Sequence, residues 1–108
     1  MFGIQKPSEL TPAQALEALE QARILLVDVR EPAEYAAERI HGAVLCPLSS
    51  FDPAALPDAG GRQIVFQCGS GKRSAMAVQR CRAAGLQLDV HLAGGIAAWK
   101  QAGLPTTR

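Results

Sequence analysis

Gln63-Ile64-Val65-Phe66-Gln67-Cys68-Gly69-Ser70-Gly71-Lys72-Arg73-Ser74 changes character twice within one short stretch. It begins as an apolar run of strand length. A run with no polar face reads as a strand buried on both sides, as in a parallel sheet. Gly69 and Gly71 then interrupt it, and a helical pattern continues from Lys72 to about Ala84, closed by Gly85 as the residue just beyond the helix. Strand, glycine-bearing loop and helix in that order form the carboxyl end of a parallel strand feeding a crossover.

The rest of the chain repeats that alternation. Upstream, Ile24-Leu25-Leu26-Val27 is a second continuous apolar run, and charge arrives at its end in Asp28-Val29-Arg30. Before it, Thr11 followed by Pro12, with Gln14 at the capping-box position, starts a helix running to about Gln21 with Leu16 and Leu19 on its apolar face. Glu31-Pro32 opens a shorter helix carrying Glu34 and Tyr35. His41-Gly42 reads as a turn before a small strand, Ala43-Val44-Leu45, and Pro47, Pro53 and Pro57 break the next stretch into loop. Downstream, Leu86 to Leu92 alternates apolar and polar residues and reads as a fourth strand. Gly94-Gly95 leads into a last helix that ends at Gly103 and Pro105. Its Trp99, with Ile96 and Leu92, reads as a core anchor. These segments predict an α/β chain: a small, mainly parallel sheet flanked by helices on both faces, one domain over residues 1–108. Ligands of such sheets bind beyond the carboxyl ends of the strands, and Asp28 and Cys68 both lie there.

Composition narrows the chemistry. The chain has 108 residues, 48% hydrophobic and 19% charged, with a net charge of +1. A domain of that size can bury a core without metal or disulfide staples. So small a net charge gives no reason to invoke nucleic acid or an acidic membrane surface. Cys46, Cys68 and Cys81 are odd in number and lack CxxC spacing, and with His41 and His91 they form no recognisable metal-ligand pattern. The start of the chain, Met1 to Pro7, lacks the apolar run of a signal peptide, and no stretch is long enough to span a membrane. The expectation is a cytoplasmic protein with reduced thiols, no metal and no cofactor.

The loop after the Ile64–Gln67 run carries the chemistry. Consecutive amides in a glycine-bearing turn can converge as an anion-binding nest, and the following helix N-terminus adds partial positive charge. Lys72 and Arg73 add two full charges. A thiol in that field is expected to ionise towards or below neutrality rather than near its ordinary 8.5. An inert, buried role suits Cys81, set among Ala77, Val78 and Ala84, and also Cys46, beside a short strand. Glycines and basic residues are poor apolar neighbours, so the reactive cysteine is Cys68.

Cys68-Gly69-Ser70-Gly71-Lys72-Arg73-Ser74 resembles the C-x-x-G-x-R-S active-site loop of single-domain rhodaneses. Two further stretches are similar to that family. One is Asp28-Val29-Arg30, Glu34-Tyr35 and Ile40-His41-Gly42-Ala43, where the family has D-V-R, E-[FY] and H-I-x-G-A; here Arg39 stands where the family has histidine, or His41 follows the isoleucine instead. The other is Gly94-Gly95 with Trp99, Gly103 and Pro105. Together they run from about Leu25 to Pro105.

The resemblance implies sulfur transfer in two steps through a Cys68 persulfide. A small anionic donor such as thiosulfate enters, and a thiol or cyanide, or a protein thiol, accepts the sulfur. It also implies that the amides from Gly69 to Ser74 cradle the sulfur and the donor's oxygens. Ser70 donates a hydroxyl, and Lys72 or Arg73 meets the sulfonate, unless Arg73 pairs with an acidic residue to hold the loop. Asp28 and Arg30 are expected to brace the loop rather than touch substrate, Glu34 and His41 to be surface or turn residues, and no general base is required. The opening Cys68-Gly69-Ser70-Gly71 is similar to the loop of mercaptopyruvate sulfurtransferases, while Lys72-Arg73 favour a dianion, so thiosulfate is the expected donor. Cysteine phosphatases have a loop one residue longer between cysteine and arginine, which disfavours phosphate here. A sulfur-relay module using the same Cys68, or a non-catalytic regulatory domain of this type, are the alternatives.

Overall fold

The computed structural model of the chain describes residues 6–108; Met1 to Gln5, the greater part of the stretch read for a signal peptide, lie outside the described residues. Five strands form one sheet in the order β1-β5-β4-β2-β3, every neighbouring pair parallel. They are β1 (Ser8–Leu10), β2 (Ile24–Asp28), β3 (Val44–Leu45), β4 (Gln63–Gln67) and β5 (Val90–Leu92). The helices are α1 (Pro12–Glu20), α2 (Pro32–Ala37), α3 (Lys72–Ala83) and α4 (Gly95–Gln101).

The two continuous apolar runs are the central strands. β2 and β4 pair along their full length, Ile24 opposite Gln63 through Asp28 opposite Gln67. Alternation along them divides the core. Ile24, Leu26 and Val65 pack on one face with Ala15 and Ala18 of α1 and with Ile96 and Trp99 of α4. Leu25, Val27, Ile64 and Phe66 pack on the other with Ala77, Val78 and Cys81 of α3. The three-layer arrangement with helices on both faces is the one the sequence predicts. Trp99 is fully buried, its indole N–H donating to the Pro105 carbonyl at 2.8 Å.

Local chemistry sets the helix ends. The Gln14 amide donates to Thr11 Oγ1 at 3.2 Å and the Thr11 amide to Gln14 Oε1 at 2.9 Å, a reciprocal capping box. The buried face of α1 is Ala15 and Ala18, with Leu16 and Leu19 on its flanks; small residues there let the helix approach the sheet closely. At the end of α3, Leu86 N–H returns to the Cys81 carbonyl and Gly85 N–H to Arg82, a Schellman turn with Gly85 at φ +82°.

Two strand assignments differ from the sequence reading. β5 covers only Val90–Leu92 rather than Leu86–Leu92, because residues 86–89 run out of the Schellman turn and Leu88 packs on the α3 side of the core instead of joining the ladder. β1 has no apolar run to announce it. Ser8 and Glu9 are exposed, and the strand exists because β5 offers an edge that it can pair with, Glu9 lying opposite His91.

Candidate active site

Cys68 is the first residue past β4, and the loop after it returns at once into α3. Gly71 is the N-cap of that helix at φ +106°, a left-handed conformation that favours glycine. The resulting turn folds back on the cysteine. Gly71 N–H donates to Cys68 Sγ at 3.1 Å, Ser74 N–H donates at 3.3 Å, and Ser74 Oγ lies 3.5 Å from the sulfur. Burial alone pushes the Cys68 thiol up. The Ser74 hydroxyl and the amides of Ser74, Gly71 and Ser70 outweigh it and hold the thiol below its ordinary range. Cys68 itself is 1% exposed. Among the described residues no such donors face Cys81 or Cys46, and burial raises both thiols.

The loop is fixed from three sides. Ile96 N–H, in the first turn of α4, donates to the Cys68 carbonyl at 2.8 Å, and Ala97 N–H to the Gly69 carbonyl at 3.1 Å. Gly95, at φ +62°, allows that approach: a Cβ there would collide with the Cys68 carbonyl and come within 2.7 Å of the Gly69 carbonyl carbon. On the opposite side, Arg73 makes a bidentate pair with Glu34 of α2, at 2.6 and 3.0 Å. The hydrogen bond from Arg73, the largest influence, holds the Glu34 carboxyl down to about 2. From below, Ser74 Oγ reaches His91 Nδ1 of β5 at 2.7 Å.

Not all of the residues singled out in the sequence meet at this loop. Gly69, Ser70, Gly71, Arg73 and Ser74 surround Cys68 or its backbone, and Lys72 is exposed at the first position of α3. Asp28 and Arg30 are buried and paired with each other, Arg30 Nη2 to Asp28 Oδ2 at 2.8 Å. Arg30 also donates to the Glu38 carbonyl at the end of α2, at 2.7 Å. These hydrogen bonds run to α2 and not to the cysteine loop, so the expected direct bracing is replaced by an indirect one. Asp28 and Arg30 fasten α2, and α2 presents Glu34 to Arg73. Glu34 is therefore more than the surface residue its position suggests. His91, Glu9 and the Ile96 and Ala97 amides carry no local signal in the sequence; they reach the site only through strand order and the packing of α4.

A cavity of about 360 Å³ lies elsewhere, between α1, Ile24, Ile40 and Trp99 at the amino end of the sheet. Its lining is mainly apolar. The donors that converge on Cys68 sit at the opposite, carboxyl end of the sheet.

Fold and loop together define an α/β domain whose parallel sheet delivers a buried, ionisable thiol to a cradle of amides. Residues 11–102 match the model of the rhodanese-like domain, and the chain belongs to that family. It is 44% identical over 99 residues to an uncharacterized protein of Synechocystis sp., covering 92% of this chain and 55% of that protein. It is 40% identical over 99 residues to the "Probable adenylyltransferase/sulfurtransferase MoeZ" of Mycobacterium tuberculosis, covering 87% of this chain and 25% of that protein. The chain thus spans about half the length of the first relative and a quarter of the second. A sulfurtransferase of Allochromatium vinosum is 37% identical over 82 residues, 76% of this chain and 77% of that protein. Among solved structures, thiosulfate sulfurtransferase from Pseudomonas aeruginosa superposes with a TM-score of 0.79 at 29% identity, covering 99% of this chain and 21% of that one.

Proposed function

We propose that residues 1–108 act as one sulfurtransferase domain that carries sulfane sulfur as a persulfide on Cys68. The observation that carries this reading is the convergence of two backbone amides and the Ser74 hydroxyl on Cys68 Sγ. The same donors that favour a thiolate would favour a persulfide anion.

In the first step the Cys68 thiolate attacks the outer sulfur of thiosulfate. A sulfur–sulfur bond forms on the enzyme as the donor's own breaks, and sulfite leaves with the electron pair. In the second step cyanide or a thiolate attacks the outer sulfur of the persulfide, and Cys68 leaves as thiolate. Charge and atoms balance in both steps, so the reaction calls for no metal, no cofactor and no general base. The amides of Gly69 to Ser74 and the exposed Ser70 hydroxyl receive the donor's oxygens. Lys72 supplies the mobile positive charge, since Arg73 is engaged with Glu34. A cytoplasmic, reducing setting suits the three free thiols, and no helix of the described residues is long and apolar enough to cross a membrane.

A second reading, a sulfur relay between protein partners, is favoured by the likeness to a quarter of a protein named adenylyltransferase/sulfurtransferase. There the same Cys68 passes its sulfur to a protein thiol. The test is intact-protein mass after brief exposure to thiosulfate, for wild type and Cys68→Ser. Gain of one sulfur in the wild type alone, removed by cyanide, is the expected outcome. No gain with thiosulfate, mercaptopyruvate or polysulfide overturns the reading. Rates with cyanide and with a protein thiol acceptor separate the two versions.

A further inference from the structure

His91 is buried and titratable, and sulfur transfer through Cys68 leaves it without a task. It lies on β5, opposite Phe66 of β4 and Glu9 of β1. Its Nδ1 is 2.7 Å from Ser74 Oγ, which lies 3.5 Å from Cys68 Sγ, and its Nε2 is 3.2 Å from the Glu9 carboxylate. Four side chains, from β1, β5, the loop after β4 and α3, thus form one continuous hydrogen-bonded chain, closed at the inner end by the reactive sulfur and open to solvent at Glu9.

The chain has a definite polarity. A carboxylate facing Nε2 keeps the proton on that nitrogen and leaves the Nδ1 lone pair towards Ser74. Ser74 has one hydroxyl proton and three acceptors in reach: His91 Nδ1, the Gly71 carbonyl at 3.2 Å, and the sulfur. While it donates to His91, it can only accept from the Cys68 S–H. When the thiol proton passes to Ser74 Oγ, the serine's own proton passes to Nδ1. Each hydrogen bond then reverses. Nδ1–H donates to Ser74, and Ser74 O–H donates to the thiolate. One proton has moved from sulfur to imidazole, with no net change in charge, and the imidazolium is held by Glu9.

We propose that His91 is a positioning residue for Cys68: acting through Ser74, it takes up the thiol proton and turns the serine hydroxyl towards the sulfur. This rests on Cys68 being the nucleophile and adds an internal proton acceptor to a reaction that otherwise needs none. The charged groups around the chain are Glu9 on β1, Lys72 and Arg73 on the first turn of α3, Glu34 on α2 against Arg73, and the Arg82–Asp89 pair between α3 and the start of β5. Of these, Glu9 alone pairs directly with the imidazole.

The test is the pH dependence of Cys68 alkylation by iodoacetamide, read by peptide mass, in wild type, His91→Asn and Glu9→Gln. Asparagine keeps a hydrogen-bonding group towards Ser74 but cannot take up a proton. His91→Asn is expected to move the midpoint upward and slow alkylation at pH 7 about tenfold. A His91→Asn protein that folds, by circular dichroism, and keeps the wild-type midpoint overturns the proposal. If that variant does not fold, Glu9→Gln decides, at a side chain 57% exposed; a smaller upward shift supports the proposal and an unchanged midpoint overturns it. Alkylation needs no sulfur donor, so its outcome is independent of whether a persulfide forms.

Discussion

Cys68 and Cys81 stand at the two ends of α3, in the same hydrophobic cluster, at 1% and 0% exposure. Their thiols are nonetheless displaced in opposite directions, Cys68 down and Cys81 up. Both suffer desolvation. The difference lies in what faces the sulfur. Cys68 meets the N–H groups that open the helix, which a thiolate satisfies and which carry the positive end of its dipole. Cys81 lies in the last turn, where the unpaired groups are carbonyls and the neighbours are Ala77, Val78 and sheet aliphatics. Burial alone makes a cysteine inert. Burial with converging donors lowers its thiol instead, as a nucleophile requires.

The severest way to break this comparison is to remove each sulfur in turn. Cys68→Ala is expected to abolish sulfur transfer in a thiosulfate–cyanide assay. Cys81→Ala should keep the wild-type rate within about twofold, since it lies a helix away from the site, and lose about 1 kcal/mol of stability by thermal denaturation. Next in size is Gly95→Ala. The new Cβ must displace the Cys68–Gly69 backbone, from a left-handed conformation besides. A loss of about 2–3 kcal/mol with a matching collapse of transfer is expected, whereas the wild-type melting temperature would show that α4 does not clamp the loop.

Ser74→Ala sharpens the comparison by making Cys68 more like Cys81. It removes one of the groups that lower the Cys68 thiol, and alkylation at pH 7 is expected to fall about tenfold while the fold persists. The smallest effect belongs to Glu34→Gln. The Glu34–Arg73 side chains are 40% and 34% exposed, so solvent screens the pair and its worth is about 0–1 kcal/mol. Because the folded carboxyl is lowered from 4.5 to about 2, that contribution is present above pH 4.5 and fades as pH falls through about 2. Urea titrations of wild type and Glu34→Gln should therefore differ at pH 7 and converge near pH 2.

The central strands were legible because two apolar runs can be satisfied only between two helical layers, and the Cys68 loop because glycines beside a thiol and two cations have no packing role. Helix ends at Thr11, Pro12 and Gly85 were legible for the same reason: their signals are local. β1 was not legible, because an exposed three-residue edge strand owes its existence to its partner. Nor was the length of β5, set by how the chain leaves α3.

Residues close to one another along the chain set the class of fold, distinguish the Cys68 loop from the surroundings of Cys46 and Cys81, and form the turn that aims amides at Cys68. The tertiary structure decided which groups reach that turn from afar. Glu34 meets Arg73 across 39 positions and Glu9 meets His91 across 82. The order of the strands, β1-β5-β4-β2-β3, brings Glu9 and His91 beneath Ser74, and no local pattern encodes that order. Strand order follows from burying all the apolar faces at once, a property of the whole chain.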